Sequence, residues 1–229
     1  MALMENLEEK YPALRQARLC FTQKNYAFAS EFYSELLSTM EKNESIHEIC
    51  KIYLEYAEVL IEEANEYFTL AFLEFAQQRA PNNTEKEEIE ESLEIAWSLL
   101  EICRQTFAVE KDKILIRRIH TLLGDILLLN NNFQDAITEY AVAIENYEDI
   151  KIMQKMASCY EFLEDLNNYL EMNNKILAIL LKQNKMDEVE ELQAQMDHFK
   201  KKIENKEQIP EKVDDSANVI DITKTLRKK

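Results

Sequence analysis

Apolar residues recur along this chain at intervals of three and four positions, which is the period of an amphipathic α-helix. The segment 117–146, RRIHTLLGDILLLNNNFQDAITEYAVAIEN, contains two such stretches in succession. The second stretch carries apolar residues at spacings of 3, 4 and 3, namely Phe133, Ala136, Tyr140 and Ala143. The first contains Gly124, the sole glycine of the chain. Because glycine weakens a helix interior, its use there predicts that another helix lies close to its backbone.

Paired helices of about 34 residues, with small residues where the helices cross, are typical of the tetratricopeptide (TPR) repeat. Superposition on the segment 117–146 places a first repeat at 10–43 and a fourth at 150–182. The residues that then match Gly124 are Ala17, Ala57 and Ala157. We therefore expect Gly124→Ala to be tolerated and leucine at this position to overpack the crossing.

The second repeat is interrupted. Its helices are expected at 51–64 and 92–107, and its equivalent alanines, Ala57 and Ala96, are 39 residues apart instead of 12. The insertion therefore occupies the region around 66–91. Its first part, 66–78, is apolar enough to extend the preceding helix, and the Pro-Asn-Asn-Thr sequence at 81–84 is expected to end that helix. An acidic run of net charge −4 follows at 85–91, as a solvated loop or a helix start.

The segment 186–206 is predicted to form a capping helix, because a repeat array exposes an apolar face at its end. Its apolar residues follow at spacings of 3, 4, 3 and 4: Val189, Leu192, Met196, Phe199 and Ile203. The predicted fold class is therefore all-α, a TPR superhelix of four helix-hairpin repeats plus this cap, within residues 1–206. Residues 207–229 are predicted to be a disordered tail, whose basic end contains Lys224, Arg227, Lys228 and Lys229.

The amino-acid composition supports a helical fold and limits the classes of binding partner. One glycine and three prolines in 229 residues exclude a turn-rich all-β fold. The net charge of −17 disfavours direct binding to nucleic acid or to an anionic membrane surface and favours basic partners. Taken alone, such a charge is more simply explained by solubility.

The pattern of reactive residues does not indicate an enzyme, a cofactor or a metal site. The four cysteines have no metal-binding or redox spacing, and a reduced compartment fits them. The three histidines, His47, His120 and His198, are scattered, and no glycine-rich phosphate loop is present. No signal peptide is evident at the beginning, and the longest apolar run, 176–181, is too short to span a bilayer.

Three features together resemble the nuclear autoantigenic sperm protein (NASP) family of histone chaperones. The first is a TPR array with an acidic insertion in its second repeat. The second is LEIAWSLLEICRQTF at 93–107, similar to the helix that follows the insertion in that family. The third is the tail VIDITKTLRKK at 219–229, which resembles the hydrophobic and basic element that carries the nuclear import signal of the family. The third repeat, TLLGDILLLNNNFQDAI at 121–137, also matches, with Asp125 after the glycine.

The resemblance implies an ATP-independent chaperone that binds histone H3 and the H3–H4 dimer or tetramer and shields them before nucleosome and chromatin assembly. It also implies a nuclear location with a cytoplasmic pool, and import through Lys224, Arg227, Lys228 and Lys229. Contact with linker histone would depend on a long acidic insertion. The insertion here is brief, so linker histone stays an open alternative.

In a TPR superhelix the first helix of each repeat lines a groove. The residues predicted to contact histone there are Leu54, Glu58, Glu62, Asp125, Leu128 and Glu161. The acidic run offers a second contact through Glu85, Glu87, Glu88, Glu90 and Glu91. Carboxylates pair with arginine and lysine through charge-assisted hydrogen bonds, so the set suits a partly basic, partly apolar segment. We expect reversal of Glu58 and Asp125 to lysine to weaken binding without affecting stability. The simpler alternative is a set of solvated helix faces, because 44 of the 229 residues are acidic.

A TPR scaffold, or a co-chaperone for non-histone partners, is the rival interpretation. A co-chaperone that grips a C-terminal carboxylate needs lysine, asparagine and arginine in the groove. The corresponding positions here are Leu14, Arg18, Glu55, Arg118 and Leu122. Only Arg18 and Arg118 of these residues are basic, so the carboxylate-binding set is incomplete, and Glu55 would repel a carboxylate. Salt dependence separates these interpretations, because screening weakens histone binding.

Overall fold

The computed structural model describes residues 7–40, 44–77, 83–110, 112–145 and 147–207. These residues are mostly helical and include no strand, which confirms the all-α fold class for them. The helices are α1 (Pro12–Thr22), α2 (Tyr26–Thr39), α3 (Ile46–Ala76), α4 (Asn83–Glu110), α5 (Lys113–Leu129), α6 (Phe133–Ile144), α7 (Ile150–Phe162), α8 (Leu166–Lys182) and α9 (Met186–Glu207).

The helices stack in chain order. Each one packs against its neighbours in the sequence, and α3 also packs against α5. The expected opening of α6 at Phe133 is observed, and the segment expected as a cap forms α9 with Val189 and Phe199 buried. The division into TPR repeats and a cap stays a prediction.

Four of the connections between helices have the same backbone geometry. In each, the second residue after a helix is left-handed, with φ between 57° and 59°: Lys24, Asn131, Glu164 and Asn184. The next N–H donates to the carbonyl five residues earlier, which is the Schellman pattern: Asn25 to Cys20, Asn132 to Leu127, Asp165 to Tyr160 and Lys185 to Leu180. The recurring turn gives α1–α2, α5–α6, α7–α8 and α8–α9 a common hairpin form.

Gly124 lies where α5 and α6 are in close contact, as the sequence predicts. A Cβ at Gly124 would be 2.5 Å from Cε1 of Tyr140. Ala17, the matching residue in α1, is fully buried near the equally buried Tyr33 of α2, so there a methyl group is accommodated. The expected tolerance of Gly124→Ala therefore does not hold at this crossing, since the Tyr140 ring would have to move.

The hairpin of α3 and α4 is much longer than the others. The helices have 31 and 28 residues. The start of α3 lies beside the end of α4, where the thiol of Cys103 donates to the carbonyl of Cys50 at 3.3 Å. The insertion extends α3 as far as Ala76, and the acidic run 85–91 lies in the first turns of α4 rather than in a loop. We call residues 66–77 and 83–91, the connected ends of this hairpin, the arm.

Candidate functional site

Three ion pairs join successive odd-numbered helices along one side of the molecule. Arg18 of α1 pairs with Glu55 of α3. Glu58 of α3 pairs with Arg118 of α5, and Asp125 of α5 pairs with Lys155 of α7. We call this series the ion-pair ladder. Because its members are 30 to 60 residues apart in sequence, the ladder fixes the relative positions of helices that are not chain neighbours.

The first pair of the ladder is bidentate. Nε and Nη2 of Arg18 donate to the two carboxylate oxygens of Glu55 at 2.9 and 2.8 Å. The hydroxyl of Tyr33 donates to the same carboxylate at 2.8 Å. Burial, followed by the negative charge of Glu55, raises the pKa of Tyr33, so the phenol stays a donor. Such planar, charge-assisted contacts are among the stronger hydrogen bonds in proteins.

The third pair contains the most buried carboxylate of the ladder. Asp125 is only 9 % exposed, and its Oδ1 accepts from the Tyr140 hydroxyl at 2.7 Å and from Nζ of Lys155 at 2.6 Å. Burial and the charge of Asp125 raise the pKa of Tyr140, which keeps its proton. Asp125 thus joins three helices, and its carboxylate is a structural group. A substitution there cannot be neutral for stability, contrary to the sequence-based expectation for its reversal to lysine.

A groove runs beside the ion-pair ladder. A cavity of about 360 Å³ lies between α3, α5 and α7, and a second of about 310 Å³ continues toward α1. Both are lined by Glu58 and Arg118, so we treat them as one groove. In the larger cavity the carboxylates are Glu58, Glu62, Asp125 and Asp149, and the cations are Arg117, Arg118, Lys151 and Lys155. The groove was expected to be acidic and apolar, and its larger cavity is instead balanced in charge.

Glu62 differs from the other carboxylates of the groove. Glu58 and Asp125 are engaged in the ladder, and Asp149 caps α7 by accepting from the backbone N–H of Lys151 at 2.9 Å. Within the described ranges, Glu62 makes no hydrogen bond or ion pair, although it is half-buried. Burial raises its pKa, the positive charge of Lys155 lowers it and the charge of Asp125 raises it again. A half-buried carboxylate without a partner can bind a cation supplied from outside.

Glu58, Glu62 and Asp125 are thus brought together in the groove, whereas the other predicted residues are not. Leu54 was expected to line it, and this is wrong because Leu54 is fully buried in the core, where α3 is packed by α2, α4 and α5. Leu128 is half-buried against the core formed by α6 to α9, and Glu161 is exposed outside both cavities.

The remaining predicted site residues lie elsewhere. Glu85, Glu87, Glu88, Glu90 and Glu91 are exposed on the arm. Lys224, Arg227, Lys228 and Lys229 fall outside the described residues.

An apolar pocket that the sequence did not predict adjoins the groove. It has a volume of about 480 Å³ and shares Ile114 and Arg117 with the larger groove cavity. Ile114 is 71 % exposed, and the guanidinium of Arg117 stacks on the ring of Tyr147 at 4.0 Å. An exposed isoleucine in the first turn of α5 was its only sequence signal, and helix periodicity does not distinguish such a residue from a core residue.

Neither a protein-family model nor a curated protein matches the chain. In the part of the chain that the structure describes, no helix combines the length and apolarity needed to cross a membrane. Among the same residues, no cluster of histidine, cysteine, aspartate and glutamate has the arrangement of a metal site.

Proposed function

We propose that this protein is an ATP-independent histone chaperone of the TPR type, which binds histone H3 and H3–H4 through the groove. The proposal rests mainly on Glu62. This half-buried carboxylate lines the larger cavity of the groove and has no hydrogen-bond or ion-pair partner among the described residues. A basic side chain from a ligand would complete its interactions. The net charge of −17 would attract and steer such a ligand.

The fold supports a binding role. Four helix connections share one Schellman turn, and the helices stack in chain order, as expected for a helical repeat array. Arrays of this kind present extended surfaces to peptides and helices. We therefore infer that the hairpins are TPR units, that the α3–α4 hairpin is the interrupted second unit, and that α9 is the cap.

The groove would bind its ligand through an ion pair with Glu62 and through an apolar contact in the adjoining pocket. An incoming lysine or arginine would reach Glu62 and favour its ionised form, which burial disfavours in the free protein. The ion-pair ladder would hold α3, α5 and α7 in place meanwhile, so that little ordering is needed on binding. An apolar ligand residue one or two turns away would enter the pocket beside Ile114. None of these steps requires nucleotide hydrolysis.

Glu62→Gln and Glu63→Gln form a matched pair that tests this proposal. Both carboxylates are half-buried on α3 and burial raises both pKa values, but Glu63 does not line the groove. Titration of H3–H4 should show roughly 10- to 100-fold weaker binding for Glu62→Gln, since a hydrogen bond to a charged group contributes about 1.5–3 kcal/mol. Glu63→Gln should bind like wild type. If both variants bind H3–H4 equally well, the groove is not the histone-binding site.

Size exclusion with H3–H4 and with linker histone, at low and high salt, tests the partner. A complex with H3–H4 that weakens as salt rises is expected, because the steering charges are exposed. Absence of any H3–H4 complex at low salt would refute the histone assignment. Co-elution with linker histone would show that it is a partner as well, in spite of the brief acidic insertion.

A second candidate function is a scaffold that binds non-histone segments, and the balanced charge of the groove favours it. A ligand of mixed charge would pair with Lys151 as well as Glu62. Lys151→Gln distinguishes the two candidates: histone binding should persist or strengthen, whereas a mixed-charge ligand should bind more weakly. A carboxylate-gripping co-chaperone is disfavoured, because Arg18 and Arg118 are already paired with Glu55 and Glu58.

Nuclear import remains part of the proposal through the resemblance of the tail. Fusion of residues 213–229 to a cargo too large to diffuse should cause nuclear accumulation. Replacement of Lys224, Arg227, Lys228 and Lys229 by alanine should abolish it while H3–H4 binding persists. A wild-type fusion that stays cytoplasmic would refute the import role and leave the chaperone role untouched.

A further inference from the structure

The apolar pocket beside the groove carries more positive than negative charge at its rim. Its charged lining residues are Lys113, Arg117 and Glu145. We call Lys113 and Arg117 the rim cations. In the described part of the chain neither of them forms an ion pair, although Arg117 stacks on the ring of Tyr147. The pocket therefore suits an apolar side chain that is followed or preceded by a carboxylate.

Glu62 adds a requirement for a cation at a fixed distance from this pocket. Glu62 lies near Asp125, whose charge raises its pKa, and the pocket residue Arg117 is eight positions before Asp125 on α5. At 1.5 Å per residue, these two levels of the groove are about 12 Å apart. Two residues of an extended segment span about 7 Å, and the side chains of a lysine and of Glu62 extend toward each other across the rest. A ligand that satisfies the whole site has the order acidic, apolar, any residue, basic.

Residues 221–224 of this chain, Asp-Ile-Thr-Lys, have that order. They follow α9 and fall outside the described residues. A second copy of the chain could offer the same four residues, but its net charge of −17 opposes approach to an equally acidic protein. The chain's own segment is held nearby by its covalent connection and is the favoured occupant.

The end of α9 is close enough to the groove for this occupant. Lys206 pairs with Glu164, which joins the end of α9 to the turn after α7. That turn is nine positions beyond Lys155 on α7, or about 14 Å. Because Lys155 pairs with Asp125, the path then continues along α5 by at most about 16 Å to the far side of the pocket. Residues 208–221 can span up to roughly 46–50 Å, which exceeds this path of about 30 Å.

We propose that residues 221–224 dock into the groove of their own chain and compete there with the basic partner. Ile222 enters the apolar pocket, and Asp221 lies beside the rim cations. Lys224 pairs with Glu62, the carboxylate that has no partner among the described residues. The competition rests on the proposed function, whereas the docking itself does not.

The size of the competition follows from the connecting chain. A flexible connection of this length holds the segment at an effective concentration of about 1 mM. If the segment alone would bind with a Kd of roughly 0.1–0.3 mM, the groove is occupied in most molecules. The apparent affinity for an external ligand is then reduced roughly four- to tenfold, in proportion to the fraction of open groove.

Carbodiimide coupling of the full chain tests the docking, because it joins a lysine amine directly to a neighbouring carboxylate. Mass mapping should find an amide between Lys224 and Glu62, and none between Lys224 and Glu63, which is half-buried but outside the groove. Ile222→Ser should remove the amide, and Leu226→Ser should retain it. In a mixture of isotope-labelled and unlabelled protein, both halves of each amide should come from the same kind of chain.

Titration of H3–H4 tests the competition. Ile222→Ser and Lys224→Gln should each bind roughly four- to tenfold more tightly than wild type, because they open the groove. Leu226→Ser and Lys212→Gln are the matched changes outside the segment and should bind like wild type. Equal affinity of wild type and Ile222→Ser would overturn the competition.

The two measurements distinguish the possible failures. A wild-type protein that binds H3–H4 but forms no amide between Lys224 and Glu62 would overturn the docking and leave the proposed function intact. Amides found only between labelled and unlabelled chains would make the occupant a second copy and also overturn it. Formation of the amide in a protein that binds no H3–H4 would support the docking and refute the proposed function.

Discussion

Gly124→Ala should destabilise this protein, although alanine is the better helix former. The reason is the Tyr140 ring, whose Cε1, Cδ1 and Cζ atoms lie 2.5, 2.7 and 2.9 Å from the position of an added Cβ. Tyr140 cannot easily withdraw, because it is fully buried and its hydroxyl donates to Asp125, the residue directly after the glycine. At the matching crossing, the hydroxyl of Tyr33 donates to Glu55 of another helix, and Ala17 is accommodated.

The magnitude follows from two opposing effects. Alanine in place of glycine stabilises a helix interior by about 1 kcal/mol. One extra carbon forced into a well-packed crossing costs roughly 1–3 kcal/mol. We expect a net loss of about 1 kcal/mol, which lowers the melting temperature by about 2–4 °C for a chain of this size. Gly124→Leu should lose considerably more.

Thermal and denaturant unfolding of Gly124→Ala, Tyr140→Phe and the double variant measures the effect and its cause. Tyr140→Phe removes the hydroxyl that holds the ring over the glycine, so the penalty of Gly124→Ala should shrink in that background. Ala17→Gly should be destabilising by about 1 kcal/mol, as propensity alone requires. A Gly124→Ala protein that melts above wild type would show that the ring yields freely and would refute the reasoning.

Three further substitutions test other features. Lys24→Gly should stabilise by roughly 0.5–1 kcal/mol in denaturant unfolding, because a left-handed φ of 59° strains lysine but not glycine, and Asn131→Gly should gain less because asparagine tolerates that conformation. Glu62→Gln and Glu63→Gln should each increase the free energy of unfolding at neutral pH by less than roughly 1 kcal/mol given solvent screening, and so raise the melting temperature slightly. Burial raises both pKa values, so the ionised forms oppose folding and the gain should vanish as pH falls through the ordinary carboxylate pKa; a gain that persists in acid would contradict this. Asp125→Lys should cost roughly 3 kcal/mol or more, and unchanged stability there would refute its structural role.

Helix periodicity was sufficient to predict the helices and the crossing at Gly124. Both depend on local properties, namely the spacing of apolar residues and the cost of glycine within a helix. The opening of α6 at Phe133 follows from the same spacing. The left-handed turn residues were not anticipated, since Lys24 and Glu164 are residue types that give no turn signal.

The pairing of charges could not be predicted from the chain. Glu58 and Arg118 are 60 residues apart, and periodicity places each on an exposed helical face without indicating that the faces meet. Leu54 was misassigned for a related reason. Periodicity identifies one apolar face per helix, but α3 is packed by α2, α4 and α5 and therefore buries residues on more than one face.

The ion-pair ladder limits which substitutions can report on binding. Glu58 and Asp125 hold neighbouring helices together, so their replacement changes the shape of the groove as well as its charge. A loss of ligand affinity in such variants would not distinguish recognition from packing. Glu62 has no partner to lose among the described residues, and burial opposes its ionised form. Its removal should therefore relieve a small cost to folding while it weakens the binding of a basic ligand. Opposite effects on stability and on affinity are expected of a recognition residue, whereas a residue kept only for packing would lower both together.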